Sequence, residues 1–267
     1  MLKNSIATLI GFGIATAISV AQADEKQDWG QFAVGETRSG YTFAAKETRA
    51  MQDDDFENPG FIWVDRGEEL WDAAEGKAGK ACSTCHKDAS TSMGKVGATY
   101  PVYDKKLKKL INVEQRINQC RTERMEAKAW KWESNELLSM TTYVNHQAKG
   151  TPVAVKTDGD AKPFYDKGKA FYNERRGQLD MACKHCHVDN AGKMIRANLL
   201  SQGQGNGFPT YRLKWQKIGS LHRRFRGCNK QVRATPFKAG SDEYVNLELF
   251  LKARGMSLPV ETPAVRN

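Results

Sequence analysis

Cys82-Ser83-Thr84-Cys85-His86 and Cys183-Lys184-His185-Cys186-His187 decide the fold. Two cysteines separated by two residues, with histidine next, are what covalent haem attachment requires. The thiols add to the two vinyl groups and the histidine nitrogen binds the iron from one face. Paired Cys-x-x-Cys units also build zinc ribbons, but those pairs stand about 15 to 20 residues apart. Here 97 residues separate Cys85 from Cys183. A thioredoxin-like pair needs a βαβ setting, and the flanking pattern is helical. The motifs therefore point to two covalently bound haem c groups, attached through Cys82 and Cys85 and through Cys183 and Cys186. His86 and His187 are the expected iron ligands.

The surroundings of the two motifs match, which implies an internal duplication. Gly67 precedes Cys82 by fifteen residues, as Gly168 precedes Cys183. Val64, Gly67, Leu70 and Trp71 align with Tyr165, Gly168, Phe171 and Tyr172, an apolar helix face interrupted by glycine. A helical glycine costs about 1 kcal/mol relative to alanine, and the return is close approach of another helix. A closing helix is expected after Ser241, its N-cap, with Tyr244, Leu247 and Leu251 inward and Gly255 at its end. Its counterpart runs from about Ser134 to Asn145, with Leu137, Met140, Thr141 and Val144 inward. Helix, haem motif, loops, lone cysteine and closing helix resemble the class I cytochrome c fold, in which first and last helices cross.

The expected architecture is mainly α, with two tandem class I cytochrome c-like domains and an N-terminal extension. The first domain spans 61–150 and the second, catalytic one spans 163–267. Residues 151–162, without periodicity and with proline and glycine, are the expected linker. Residues 24–60 match neither repeat and are expected to wrap the first domain or a partner.

Residues 1–23 read as a secretory signal, with Lys3, an apolar stretch from Ile6 to Val20, and Ala21-Gln22-Ala23 as a small-x-small site. Cleavage is expected after Ala23, into a periplasm. The apolar run is short of the roughly 18 residues a membrane span needs, so no span is expected after cleavage. Losing Lys3 lowers the formal charge from +10 by one. Such a basic protein attracts anions and acidic partners. Nucleic acid is no partner in that compartment.

Two cysteines remain, Cys120 and Cys228. Class I cytochromes usually close the sixth iron position with methionine, and Met93, Met125, Met140, Met194 and Met256 are candidates. A Cys120–Cys228 disulfide is a second reading in an oxidising compartment. Against it, each cysteine follows an arginine by four residues, Arg116 and Arg224, at equivalent places in the two halves. One thiolate ligand per haem accounts for that pairing better, since thiolate is a strong donor to iron. Around Cys228, five cations fall within the eleven residues Arg223 to Arg233. Nearby cations favour thiolate, and arginine's fork suits an oxyanion. After Cys120, Arg121, Glu123, Arg124 and Glu126 largely cancel. His146 and His222 read as surface or packing residues, and His185, between its two cysteines, cannot turn to the iron.

These marks resemble the SoxA family, the dihaem cytochrome subunits of bacterial thiosulfate-oxidising Sox systems. The resemblance rests on Cys82–His86 followed by Arg116-Ile117-Asn118-Gln119-Cys120, and on Cys183–His187 followed by Arg224-Phe225-Arg226-Gly227-Cys228-Asn229. Val232-Arg233-Ala234 and Gly240-Ser241-Asp242-Glu243-Tyr244 also match. Some members lack the first haem motif; its presence here implies two haems. The resemblance implies L-cysteine S-thiosulfotransferase activity in a heterodimer with a SoxX-like small cytochrome. Thiosulfate would be joined oxidatively to a cysteine of a SoxYZ-like carrier, with two electrons passing through haem to a c-type cytochrome acceptor. It further implies that Cys228 is a haem ligand that becomes a persulfide, that Arg224 binds thiosulfate, and that Cys120 is an inert thiolate ligand of the first haem. Motif spacing alone does not choose between the halves. A plain periplasmic dihaem electron-transfer cytochrome is the alternative.

Overall fold

The computed structural model describes residues 27–267; the expected signal segment lies outside the described residues. In chain order the helices are α1 (Lys46–Asp53), α2 (Phe61–Asp72), α3 (Cys82–His86), α4 (Ala89–Ser92), α5 (Val96–Thr99), α6 (Val113–Arg124), α7 (Asn135–His146), α8 (Lys162–Asn173), α9 (Cys183–His187), α10 (Leu221–Gln231) and α11 (Asp242–Arg254). The strands are short: β1 (Ala33–Val34), β2 (Thr37–Arg38), β3 (Val102–Asp104), β4 (Lys109–Ile111), β5 (Met194–Ile195), β6 (Asn198–Leu199), β7 (Thr210–Arg212), β8 (Lys217–Gly219) and β9 (Ala264–Arg266). Three antiparallel pairs, β1–β2, β3–β4 and β5–β6, stand alone, and β7 lies between antiparallel β8 and parallel β9.

Two glycine crossings organise these elements. A Cβ on Gly67 would lie 2.4 Å from the Tyr143 Cβ and 2.5 Å from the Ser139 carbonyl oxygen, so α2 and α7 meet backbone to backbone. A Cβ on Gly168 would lie 2.0 Å from the Asn246 carbonyl oxygen, where α8 crosses α11. The closing helices start where their caps direct them: Ser134 accepts from the Leu137 amide and Ser241 from the Tyr244 amide. The first and last helices of each half cross, as in class I cytochromes c.

Gly168→Ala sets two effects against each other. Alanine improves helix propensity by about 1 kcal/mol, whereas forcing apart a closed helix contact costs about 1–3 kcal/mol or more. With a clash at 2.0 Å on a carbonyl, the contact wins. A lowered thermal midpoint is expected; an unchanged one would mean the crossing opens freely.

The closing helix α11 is buried all round from Tyr244 to Lys252, beyond the single face that the periodicity implied. Tyr244, Leu247, Phe250 and Leu251 join Phe171, Tyr172, Leu221 and Phe225 in the second half's core. Val245 and Leu249 turn the other way, onto Ala98, Leu110, Ala148, Val153 and Val155. One helix thus serves the second core and the junction between halves. The stretch 151–162 is correspondingly no exposed tether: Val153 and Val155 are buried, and the Val153 amide donates to Leu258 O at 2.9 Å.

Charges are buried at this junction too. Glu248 accepts from Asn112 Nδ2 and contacts His222 Nε2, both at 3.0 Å, while Lys252 Nζ donates to Gly97 O at 3.1 Å. Burial, and then Glu248 beside it, push the Glu114 carboxyl up to about 8; Glu133 adds to the rise and Lys252 opposes it. A carboxyl raised on folding contributes stability below the ordinary carboxylate range and loses it as pH rises through about 8. Glu114→Gln is therefore expected to gain on the wild type by about 1–3 kcal/mol between pH 5.5 and 8.5. Thermal unfolding at the two pH values reads the difference; a gap independent of pH would place Glu114 elsewhere in the balance.

Residues 27–60 lie chiefly along the C-terminal tail, and Asp55 also reaches the first half through its ion pair with Lys149. α1 packs on β9, Asn58 Nδ2 donates to Pro263 O at 2.9 Å, and the Val265 amide donates to Gln52 Oε1 at 3.1 Å. The reason is Glu261, buried in the tail, which takes hydrogen bonds from Ser39, Gln52, Asn206 and Arg266. A buried carboxylate needs such donors, and the extension brings two of them.

Candidate functional site

The two Cys-x-x-Cys-His runs fold as matching five-residue helices, α3 and α9. In each, the third residue turns back to hold the preceding backbone. Thr84 Oγ1 accepts from the Ala81 amide at 3.0 Å and His185 Nδ1 from the Ala182 amide at 2.8 Å. His185 is thus committed to its own helix.

The lone cysteines sit on α6 and α10, and the turn before each motif fixes those helices over it. Gly76 and Gly177 have φ of +73° and +68°, and a Cβ on either would fall 2.0 Å from Met125 O or 2.1 Å from Val232 O. The amides of Lys77 and Ala78 donate to Glu126 O and Met125 O, as those of Gln178 and Leu179 donate to Arg233 O and Val232 O. Sequence reasoning missed this pair of glycines, although their fixed offset from the motifs was a readable signal.

The six cysteines are unpaired, and the two lone ones occupy different pockets. Cys120 feels the field of Cys85 and acts in turn on Cys82. Cys228 acts on Cys183 and Cys186, and His187 acts on it in turn. A bridge between the two lone sulfurs does not fit that arrangement. Of the candidate methionines, Met125 and Met140 are core residues, Met194 and Met256 are exposed, and Met93 packs half-buried against the first half's core, as Cys82 does.

The two halves diverge at their arginines. Arg116 Nη2 donates to Asp104 Oδ2 at 3.0 Å, Nη1 to Gln119 Oε1 at 2.6 Å and Nε to the Tyr100 hydroxyl at 3.3 Å. Its fork is spent. Among the described residues, Arg224 has neither ion pair nor side-chain hydrogen bond, while its neighbour Arg223 stacks over Trp215 and faces Glu133. The thiols follow suit. Burial pushes Cys120 up, against Arg116 and Arg124. Burial also pushes Cys228 up, but Arg224, His187 and Arg212 together outweigh it and bring the thiol down to about 7.

Arg212 was not foreseen. It stands on β7, sixteen positions before Cys228 in the chain, and only the sheet brings it to the site. Burial, then the neighbouring Arg224, bring its guanidinium down to about 10. Arg212 in turn lowers Lys214, which also feels Arg224 and Arg196. Arg224, Arg212 and Lys214 thus gather near one half-buried sulfur.

The donor set suits a haem. His187 Nδ1 lies 2.8 Å from Ser201 O, which leaves its other nitrogen available to an iron, and the Cys228 sulfur is near enough to feel the same ring. The Gly203 backbone presses on the ring, since a Cβ there would lie 2.8 Å from the His187 Cγ. Among the described residues no three His, Cys, Asp or Glu side chains converge as a cage for a bare ion, so a structural zinc site does not fit.

A chain from Pseudaminobacter salicylatoxidans, L-cysteine S-thiosulfotransferase subunit SoxA, is 49% identical over 230 residues, 86% of this chain and 80% of that one. The chain belongs to the SoxA family. The SoxA of Paracoccus pantotrophus is 45% identical over 229 residues, 86% of this chain and 79% of that one. The crystal structure of SoxXA from P. pantotrophus superposes with a TM-score of 0.84 at 45% identity, covering 86% of this chain and 87% of that one. A family model described as SoxA/TsdA, cytochrome c domain, matches residues 66–153, a span that contains the first motif and Cys120. Like other SoxA chains, this one is a mainly α cytochrome c, and haem c is its cofactor. Among the described residues no helix is long and apolar enough to cross a membrane.

Proposed function

We propose that this chain is the A subunit of a periplasmic L-cysteine S-thiosulfotransferase, carrying two haem c groups and working with a SoxX-like small cytochrome. His86 and Cys120 would hold the first iron, and His187 and Cys228 the second. Arg224 binds thiosulfate beside Cys228, which carries the sulfur intermediate as a persulfide. The substrate cysteine belongs to a SoxYZ-like carrier. Joining a carrier thiol to thiosulfate forms one S–S bond and releases one proton and two electrons. Bound haem supplies the one-electron chemistry by which those electrons leave, towards a c-type cytochrome.

The observation that carries this reading is the contrast between the two arginines: Arg116 is neutralised by Asp104, and Arg224 keeps its fork open next to a thiol that burial alone would have kept protonated. A free, fixed arginine near a thiolate suits a small dianion. The sulfur is then activated and the anion held at one place.

Intact-mass and peptide-mass measurements on protein purified without reductant test it. Two haem masses are expected, together with about one extra sulfur on the peptide that holds Cys228, and none on that of Cys120. An unmodified Cys228 after incubation with thiosulfate and oxidised cytochrome would favour electron transfer alone.

A further inference from the structure

The N-terminal extension reaches the second haem motif through one side chain. Gln202 follows Ser201, whose carbonyl receives the His187 Nδ1–H. Its Oε1 accepts from the Arg38 amide at 2.8 Å and from Gln204 Nε2 at 3.3 Å, and its Nε2 donates to Glu36 O at 2.8 Å. The Gln202 carbonyl is held as well, by Arg254 Nη1 at 3.0 Å. On the other side, the Gly203 amide donates to Ser201 Oγ at 3.2 Å, and Gly203 itself lies against the imidazole with φ +73°. The β1–β2 hairpin is anchored in turn: Arg38 Nε donates to Thr42 Oγ1 at 3.1 Å and its guanidinium lies 4.6 Å from the centre of the Phe43 ring.

We infer that Glu36 and Arg38 of the extension, acting through Gln202, clamp the Ser201 carbonyl against His187 and so make Gln202 a positioning residue for the second haem. Residues before Phe61 have no copy in the duplicated halves. The first half, correspondingly, shows no such contact: among the described residues His86 has no ring hydrogen bond, and its aromatic neighbour is Trp71, 5.8 Å between centres. A histidine whose distal N–H is held by a carbonyl is a fixed and more basic ligand. A stronger donor opposite a thiolate favours the ferric state. The extension therefore contributes to keeping the second haem oxidised, and the duplication alone does not supply this.

The inference rests on His187 and Cys228 being the axial pair. The test uses the full chain with its SoxX-like subunit, and compares wild type with Gln202→Met, which keeps volume but loses all three side-chain hydrogen bonds. Electron paramagnetic resonance and a redox titration report each haem separately. In Gln202→Met the second haem's low-spin signal is expected to move and its potential to rise, by up to about a tenfold change in the ferric-to-ferrous ratio or about 59 mV. The first haem's signal stays. Gln202→Glu, which still accepts from the Arg38 amide, is expected to move less. A folded Gln202→Met with the wild-type second signal overturns the inference, as do equal shifts at both haems. If Gln202→Met does not accumulate, Gln202→Glu decides alone, and an unchanged second potential overturns it. A wild-type second signal without thiolate character would instead overturn the proposed ligand pair.

Discussion

Cys228→Ala is expected to leave both haems attached and to abolish thiosulfate-dependent cytochrome reduction. The proposed attachment runs through Cys82, Cys85, Cys183 and Cys186, none of which changes. The deleted atom is a single half-buried sulfur, so loss of packing is small, about 1 kcal/mol. The chemical loss is of another order. Without the sulfur that Arg224, His187 and Arg212 draw towards thiolate, no covalent sulfur intermediate forms, and removal of a nucleophile typically costs at least about 10³-fold. Turnover with the small cytochrome subunit and carrier present measures it, and haem content by absorbance provides the control. Cys120→Ala is the informative companion: its thiol is pushed up by burial, and it is expected to alter the first haem's spectrum while thiosulfate turnover persists. Normal turnover in Cys228→Ala would end the assignment.

Much of this was legible in the chain because duplicated covalent chemistry leaves duplicated residues. The motifs, the glycines fifteen residues before them and the serine caps of α7 and α11 are all local signals, and the crossings followed. What stayed hidden depends on contacts between distant segments. The periodicity of α11 gives one apolar face, but Val245 and Leu249 are buried by the other half, which no window within the helix can register. The destination of residues 27–60 depends on Glu261, some two hundred residues away, and Arg212 is set near Cys228 by the β7–β8 pairing, with β8 running straight into α10. The choice between halves was hidden for the same reason. Arg116 and Arg224 occupy the same place relative to their cysteines, and what separates them is Asp104 on β3.

That difference makes the second large prediction a comparison. Arg224→Ala removes a guanidinium that has no other partner among the described residues and lies within electrostatic reach of the Cys228 sulfur. A charge-assisted contact to a bound oxyanion is worth about 1.5–3 kcal/mol, so kcat/KM for thiosulfate is expected to fall roughly 10- to 100-fold, with the fold intact. Arg224→Lys keeps the charge but not the fork and should lie between. Arg116→Ala is expected to do the reverse. It leaves Asp104, whose carboxyl the Leu107 amide and Arg116 hold below the usual range, buried without its cation. Thermal stability then falls by about 1–3 kcal/mol, while thiosulfate kinetics hold. Steady-state kinetics and unfolding midpoints on both variants separate the two roles, because one residue should move only the first measurement and the other only the second. Equal losses of kcat/KM from the two substitutions would mean that the anion is not held by Arg224 alone, and that the first half shares the chemistry.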